Sequence, residues 1–353
     1  MEKLNICVLF GGVSSEHEVS LMSARTVVGS LDKEKYNIHM IGITKDGAWK
    51  YFTGSADEIT DFDKTADNFH PAIISPDRAD HGIIVMGEGT EKIRIDVAVP
   101  VLHGKNGEDG TMQGLFELSG IPYVGSNVIG SAICMDKCVA KIMFREANIP
   151  QADWVEVRCD KSGNYDTSKL DEIEAKLGYP CFIKPSNAGS SVGISKAGNR
   201  AELEKGLELA FVHDYKVLVE EAVNAREVES AVMGNNEPVC APILGEIVPG
   251  AEFYDYDDKY KDGTSSLLMP APLDEERTEK IREYAIKAYK ICECSGLSRV
   301  DFFVDKVTGE IKLNEINTLP GFTSISMYPK LWRKSGVETP AVLDKLIEYA
   351  LAR

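Results

Sequence analysis

Two strand-like segments near the end of the chain carry oxygen-bearing side chains at alternate positions. Arg299-Val300-Asp301-Phe302-Phe303 and Lys312-Leu313-Asn314-Glu315-Ile316-Asn317 are joined by a turn at 306–309. Alternation along a strand puts Arg299, Asp301 and Phe303 on one face, and Glu315 and Asn317 on one face of the neighbour. Asp301, Glu315 and Asn317 then converge as two carboxylates and an amide. Oxygen-only sets of this kind suit Mg²⁺ or Mn²⁺, which bridge readily to nucleotide phosphates. A solvated, charged sheet face has the same pattern.

Phosphate recognition needs a further device, because the chain has neither G-x-x-x-x-G-K-[ST] nor a G-x-G-x-x-G after a strand. The stretch Phe182-Ile183-Lys184-Pro185-Ser186-Asn187-Ala188-Gly189-Ser190-Ser191-Val192-Gly193 offers one. A strand-borne lysine is followed by a Gly/Ser loop that can present backbone N–H groups and hydroxyls to phosphate oxygens. A glycine-rich hairpin with a surface lysine is the plainer alternative. Leu319-Pro320-Gly321 follows the oxygen ligands directly, and Gly321 lets a backbone N–H approach a reacting centre, although alone it is only a Pro-Gly turn. At the other end, Gly11-Gly12 and Glu16 stand between a strand and a helix start, where a ligand can sit beyond the strand's carboxyl end. Acidic residues there also act as helix caps. His103 closes the strand at 97–102, at the same edge.

The elements that must hold these residues follow an α/β order. Strands at 5–10, 37–43 and 97–102 alternate with helices at 18–31 and 110–119, which predicts a parallel sheet; 53–92 is left as loops or short extra strands. A second unit from about 126 has a helix at 129–147, strands at 153–157 and 180–184, a helix at 200–211 and a strand at 216–220. A third has strands at 227–233, 239–247, 297–304 and 311–316, and helices at 274–295 and 340–352.

At 353 residues the chain suits two or three packed units, and 43% hydrophobic with 27% charged residues fits a globular protein. A net charge of −17 without a basic run argues against a nucleic-acid partner and limits the ligand to something small. The apolar run at 6–10 is too short for a signal peptide, and no stretch approaches the ~18–20 residues of a membrane span. A cytoplasmic protein with no membrane partner is expected. The cysteines at 7, 134, 138, 159, 181, 240, 292 and 294 lack paired Cys-x-x-Cys spacing and read as reduced, buried thiols, with Cys134 and Cys138 on one helical face.

Taken together and in this order, the segments resemble the D-alanine–D-alanine ligase family, from residue 4 to about 350. The matching stretches are 11–20, 102–114, Met135-Asp136-Lys137, 184–193, 252–260, 299–301 and 314–327. The resemblance implies a three-domain α/β ATP-grasp fold: an N-terminal parallel-sheet, Rossmann-like substrate domain at 1–125, a central ATP-grasp domain at 126–220, and a C-terminal one at 221–353 with the metal site and a lid loop at 252–266. It implies ligation of two D-alanine molecules through an acylphosphate made from ATP, with Mg²⁺ or Mn²⁺, two ions in all, at Asp301, Glu315 and Asn317, and a homodimer.

On the matching positions, Lys137 and Lys184 would contact the ATP phosphates and Lys259 the γ-phosphate, with Ser190 and Ser191 also in the ATP site. Adenine would lie at Glu220, Glu221 and Val223, and the ribose at Glu227. Glu221-Ala222 departs from the lysine and bulky aromatic of many relatives. Glu16 would anchor the first ammonium with His103 nearby, and Ser190 would join Glu16 to Tyr260. Arg299 and the Gly321 N–H would stabilise the oxyanion; Ser326 and the Met327 N–H would hold the second carboxylate. The lid sequence Glu-Phe-Tyr-Asp-Tyr-Asp-Asp-Lys-Tyr and the apolar Met327 favour D-alanine over D-lactate or D-serine as second substrate. The alternative from another class is a nucleotide sensor without catalysis.

Overall fold

The computed structural model describes residues 2–64, 69–189, 192–248 and 266–353. The first unit runs β1 (Leu4–Gly11), α1 (His17–Ser30), β2 (Tyr36–Ile43), β3 (Trp49–Phe52), a 3-10 turn at Ala56–Asp61, β4 (Phe69–Ile74), β5 (Gly82–Met86), β6 (Thr90–Arg94), β7 (Val97–Leu102) and α2 (Thr111–Ser119). Its sheet order is β6-β5-β4-β3-β2-β1-β7. Only β2, β1 and β7 are mutually parallel. Their near-continuous apolar runs are those of strands covered on both faces. From β2 outward the pairing turns antiparallel, so the segment left unassigned by sequence extends the sheet as a meander.

The second unit departs from the expected single helix at 129–147. It has α3 (Val128–Met135) and α4 (Lys137–Glu146), followed by β8 (Trp154–Arg158), α5 (Ser168–Lys176), β9 (Cys181–Pro185), β10 (Ser195–Ala197), α6 (Arg200–Phe211) and β11 (Lys216–Glu221). Asp136 makes the break: its backbone is extended at ψ 98°, and its carboxylate caps α4 by accepting the Val139 N–H at 3.2 Å. Cys134 and Cys138 consequently lie on separate helices, and Cys134 Sγ faces Cys294 Sγ at 3.6 Å instead. The sheet is β10-β9-β11-β8, all antiparallel.

The third unit contains β12 (Ala225–Gly234), β13 (Val239–Cys240), β14 (Gly245–Val248), β15 (Ser266–Leu268), α7 (Glu275–Ile291), β16 (Gly296–Asp305), β17 (Ile311–Asn317), α8 (Met327–Lys334) and α9 (Thr339–Leu351). Its antiparallel order is β15-β14-β12-β16-β17, with β13 on β12. The strand expected at 239–247 is interrupted at Pro242, which has no N–H to give a ladder. α8 escaped the sequence reading because Pro329 looks like a breaker. In the first turn of a helix its missing N–H has no partner to lose.

The cores divide unevenly. The middle sheet packs α5 and α6 around its own cluster, with Ile173, Ile183, Leu203, Leu207 and Val217 all fully buried. The first and third units share one: Val8, Phe10 and Val27 join Met233, Tyr328 and Leu346. Tyr36 and Lys35 add hydrogen bonds to Asp344 of α9 at 2.7 and 2.6 Å.

Gly11 ends β1 at φ +85°, and a Cβ there would lie 2.2 Å from the Ile43 carbonyl oxygen; Gly29 in α1 has no neighbour within 4 Å of that position. Gly11→Ala should therefore lose more than about 1 kcal/mol, while Gly29→Ala should gain about 0.4–1 kcal/mol through the unfolded chain. Urea unfolding of both variants checks this, and equal midpoints would contradict it.

Candidate functional site

β1 and β7 end side by side, with Gly11 opposite Leu102, so the turn at Gly11-Gly12 and the loop at His103-Gly104 share one edge. Glu16 caps the start of α1 there, its N–H donating to Ser14 Oγ at 3.1 Å. A Cβ on Gly104 would stand 2.5 Å from Glu16 Oε2, and one on Gly189 2.6 Å from the same oxygen. Two separate loops thus bring bare backbone against this carboxylate, and a side chain on either would push the Glu16 carboxylate aside. Ser190 and Ser191, next along the chain, lie outside the described residues.

His103 is 6% exposed. Its Nδ1 lies 3.1 Å from the Leu319 carbonyl, which can only accept, so Nδ1 carries the proton and Nε2, 3.3 Å from Ser23 Oγ, accepts. Burial lowers its pKa, and nearby Glu16 opposes that in part. Ser23 Oγ in turn accepts the Phe322 N–H at 3.1 Å, tying α1 to the Pro-Gly segment. Glu108 makes the same link from its own loop, accepting from Gly104 N–H at 2.7 Å and Leu319 N–H at 3.2 Å. Burial, then the Glu16 charge, pushes its carboxyl up to about 8.

On β16 and β17 the register sets Arg299 opposite Asn317 and Asp301 opposite Glu315, as alternation requires, with an irregularity after Asp301. Arg299 grips Asp301 with two bonds, 2.8 and 2.7 Å, and reaches Glu229 of β12 at 3.2 Å. Asn317 Nδ2 donates to Asp301 Oδ2 at 2.9 Å, which turns its Oδ1 away from that carboxylate. Glu315, Asn317 and Arg299 face the cleft, and Asp301, 9% exposed, stands behind them. Among the described residues no group of three or more His, Cys, Asp or Glu is arranged around a common metal position. The donor set is two carboxylates and an amide, and its chemistry fits a hard divalent cation.

The lysines come from the second unit. Lys137 opens α4 and donates to the Ala188 carbonyl at 2.7 Å, while its N–H bonds Ser186 O at 3.0 Å. Buried Lys216 pairs with Asp136, and Ser186 Oγ donates to the same carboxylate at 2.8 Å, so helix start and loop are fastened together. Lys184 Nζ lies 2.6 Å from Glu220, a carboxylate it shares with Lys141. Burial would raise Glu220, but the two lysines outweigh it and bring the carboxyl to about 2. Burial also disfavours the Lys184 ammonium, yet Glu220, with Glu315 and Glu227 further off, raises its pKa. Glu221 bonds Asp153 N–H at 3.1 Å and pairs with Lys312 of β17 at 2.6 Å. Val223 and Glu227 are half-buried beyond it.

These units enclose a cleft of about 170 Å³. Glu16, His103, Lys137, Arg299, Glu315 and Asn317 line it, as do Gly321, Ser326 and Met327; Lys184, Glu220, Glu221, Val223 and Glu227 are not on its wall. A Cβ on Gly321 would come 2.8 Å from Ser326 Oγ, which caps the loop by accepting the Thr323 N–H at 3.0 Å. Met327 begins α8, and its side chain, 3% exposed, packs on Gly245. Lys259, Tyr260 and the lid segment up to 265 lie outside the described residues.

Family models described as D-ala D-ala ligase N-terminus and C-terminus match residues 5–126 and 143–348. A D-alanine–D-alanine ligase of Clostridium acetobutylicum is 53% identical, covering 99% of both chains. One of Acetivibrio thermocellus is 50% identical over 100% of this chain and 97% of its own. The chain belongs to the D-alanine–D-alanine ligase family. Two solved structures agree in fold: the VanG D-Ala:D-Ser ligase of Enterococcus faecalis, with TM-score 0.89, 42% identity and coverage of 99% of this chain and 100% of that one, and the D-alanine–D-alanine ligase of Coxiella burnetii, with TM-score 0.85, 35% identity and coverage of 99% and 96%. The fold is accordingly α/β ATP-grasp, and the chain is a ligase.

Three residues of this ligase's site were missed by sequence reasoning. Glu229 follows Glu227 at the next alternate position of β12 and stands opposite Asp301, and that alternation was a usable signal. Lys141 lies four residues beyond Lys137, hence on the same helix face. Glu108 gave no sign beyond its glycine-rich setting.

Because Glu108 is raised from the ordinary 4.5 to about 8, the folded ligase holds its proton more tightly than the unfolded chain. The resulting stability is full below about pH 4.5 and lost as pH rises through about 8. Between about pH 5 and pH 8 the melting temperature of the native chain should fall further than that of Glu108→Gln. Parallel melting curves would show that Glu108 is not held protonated.

Proposed function

We propose that the chain joins two D-alanine molecules into D-alanyl-D-alanine at the expense of ATP, for peptidoglycan precursors, with the residue roles that its family membership suggests. The observation carrying this reading is the meeting of a carboxylate, a guanidinium and a Pro-Gly backbone around one small cleft: Glu16, Arg299 and Gly321. Such a cleft suits amino acids. The first D-alanine places its ammonium on Glu16, beside neutral His103, and its carboxylate attacks the γ-phosphate of ATP, breaking its bond to the β-phosphate oxygen and releasing ADP. The acylphosphate so formed has a good leaving group, and the amine of the second D-alanine attacks it. Arg299 and the Gly321 N–H hold the charge of the tetrahedral oxyanion, and phosphate departs. Ser326 and the Met327 N–H hold the second carboxylate.

Lys137 and Lys184 bind the phosphates, and Glu220, Glu221, Val223 and Glu227 hold adenine and ribose. Lys312 pairing with Glu221 puts a cation on this wall from β17. Asp301, Glu315 and Asn317 would hold one or two Mg²⁺ or Mn²⁺ ions, which when bound spread the charge of the transferring phosphoryl group. From sequence, Lys259 reaches the γ-phosphate, Ser191 lies with the nucleotide, and Ser190 joins Glu16 to Tyr260 under a lid at 252–266 that keeps water from the acylphosphate. The domains divide near 125 and 220. A cytoplasmic homodimer completes the reading, and no described helix is long and apolar enough to cross a membrane.

Likeness to the VanG D-Ala:D-Ser ligase raises D-serine as the rival second substrate. Met327 offers a serine hydroxyl no side-chain partner. Burying that hydroxyl unpaired costs about 1–3 kcal/mol, or roughly ten- to a hundredfold in selectivity. With D-alanine, D-serine and D-lactate at equal concentrations, mass spectrometry should find D-Ala-D-Ala dominant; a main product of D-Ala-D-Ser or D-Ala-D-lactate overturns the substrate assignment. ATP turnover indifferent to D-alanine would overturn the ligase reading itself.

Glu315→Gln removes a charge from a site with few protein oxygens. Ligation should drop by about a hundredfold or more even at saturating Mg²⁺, with the far-ultraviolet circular dichroism unchanged. Near-normal turnover would remove Glu315 from the metal role.

A further inference from the structure

The carboxylate of Glu220 carries two ammonium groups. Lys184 on β9 pairs with Leu218 of β11, so Lys184 and Glu220 face the same side of the sheet as diagonal neighbours. Lys141 reaches the other oxygen of Glu220 from α4, and its Nζ also lies 3.4 Å from the Ala152 carbonyl. The environments of the two cations differ. Lys141 is 2% exposed and Glu220 1%, whereas the side chain of Lys184 retains 13% exposure. Lys141 is enclosed within the protein, and Lys184 has an open side.

One buried anion with two cations leaves a net positive charge. If Glu220 had Lys184 alone, the pair would be neutral, and the carboxylate would cancel most of the attraction that Lys184 exerts on an incoming anion. With Lys141 satisfying Glu220 from the closed side, Glu220 no longer cancels the Lys184 charge, which Glu315 and Glu227 meet only from further off. We propose that Lys141 is a positioning residue for nucleotide binding, compensating Glu220 from the buried side so that the Lys184 ammonium stays available to a phosphate. The inference rests on the reading of Lys184 as an ATP contact.

A packing role for Lys141 and this electrostatic one part company when Glu220 is neutralised. ATP binding in the presence of Mg²⁺ is measured by isothermal titration on the full chain and its variants, alongside the KM for D-alanine. Lys141→Met should weaken ATP binding about tenfold while the KM for D-alanine changes less than about twofold. Because Glu220 itself belongs to the nucleotide wall, Glu220→Gln is the reference for the second arm: in that background Lys141→Met should weaken ATP binding less than about threefold further, because the uncompensated anion is gone. Lys141→Arg, which keeps the charge, should bind as the native chain does. Native affinity in Lys141→Met overturns the inference, and so does a loss on Lys141→Met that is as large in the Glu220→Gln background as in the native one. If Lys141→Met does not fold, the double variant is compared with Glu220→Gln, and binding more than about threefold weaker than in that single variant overturns the inference. Lys184→Met separates the two levels: if it leaves ATP binding intact, the reading of Lys184 itself falls, whereas if it abolishes binding and Lys141→Met does not, only the role of Lys141 falls.

Discussion

A guanidinium with a fifth of its side chain exposed has to be neutralised from more than one direction, and Arg299 meets that demand with Asp301 on its own strand and Glu229 on the next. Removing one member of such a buried pair commonly costs about 3–5 kcal/mol, so the contacts act as a constraint on the sheet. They fix β12 against β16, with Glu229 opposite Asp301 and Ala231 opposite Arg299. Once β16 is set, its pairing with β17 puts Asn317 beside Arg299 and Glu315 beside Asp301. The proposed oxygen ligands, the cation proposed for the oxyanion and the entry to the Pro-Gly segment therefore depend on one ion-paired register. A shift by one residue would turn every one of these side chains to the opposite face.

The second constraint is backbone proximity. Glu16 belongs to the first unit, yet Gly104 and Gly189 both approach its carboxylate closely, and Gly189 comes from the second unit. His103 and Glu108 bond to Leu319 of the third. The first and third units are further joined by a common apolar cluster, whereas the middle sheet has a separate core. The helices α3 and α4 that precede this sheet pack instead into the third unit's core, with Ala140 and Phe144 in one cluster with Ile281 and Leu313. Lys184 lies on that sheet, and the loop that follows it brings Ala188 and Gly189 to the cleft.

Much of this was legible in the sequence. The strands β1, β7, β16 and β17 read clearly because period-2 alternation or an unbroken apolar run survives any tertiary context, and the alternation also placed Asp301, Glu315 and Asn317 together. What failed did so for local reasons. The helix expected at 129–147 breaks at Asp136, whose carboxylate is engaged by Lys216 and Ser186, residues far along the chain and absent from any window around it. α8 was concealed by Pro329 and β6 by its polar composition, being largely exposed with no apolar face to betray it, whereas β5 is short but apolar throughout. Lys141, Glu108 and Glu229 owe their significance to partners on other elements, which one-dimensional patterns do not record.

The balance of charge inside the cleft bears on how an anion enters it. The chain carries −17 overall, so its long-range field opposes ATP, and any attraction must arise within about a Debye length of roughly 8 Å. Inside that distance the cations do not stand alone. Arg299 is paired with Asp301 and Glu229, and Lys184 with Glu220, while Glu16 and Glu315 line the cleft. A triphosphate entering among these carboxylates meets repulsion that Lys137 and Lys184 offset only in part. A divalent cation accompanying the nucleotide would reverse the balance at Glu315, turning a repulsive wall into a ligand. The same carboxylates that make the cleft hostile to a bare anion thus make it selective for one that brings its own counter-charge.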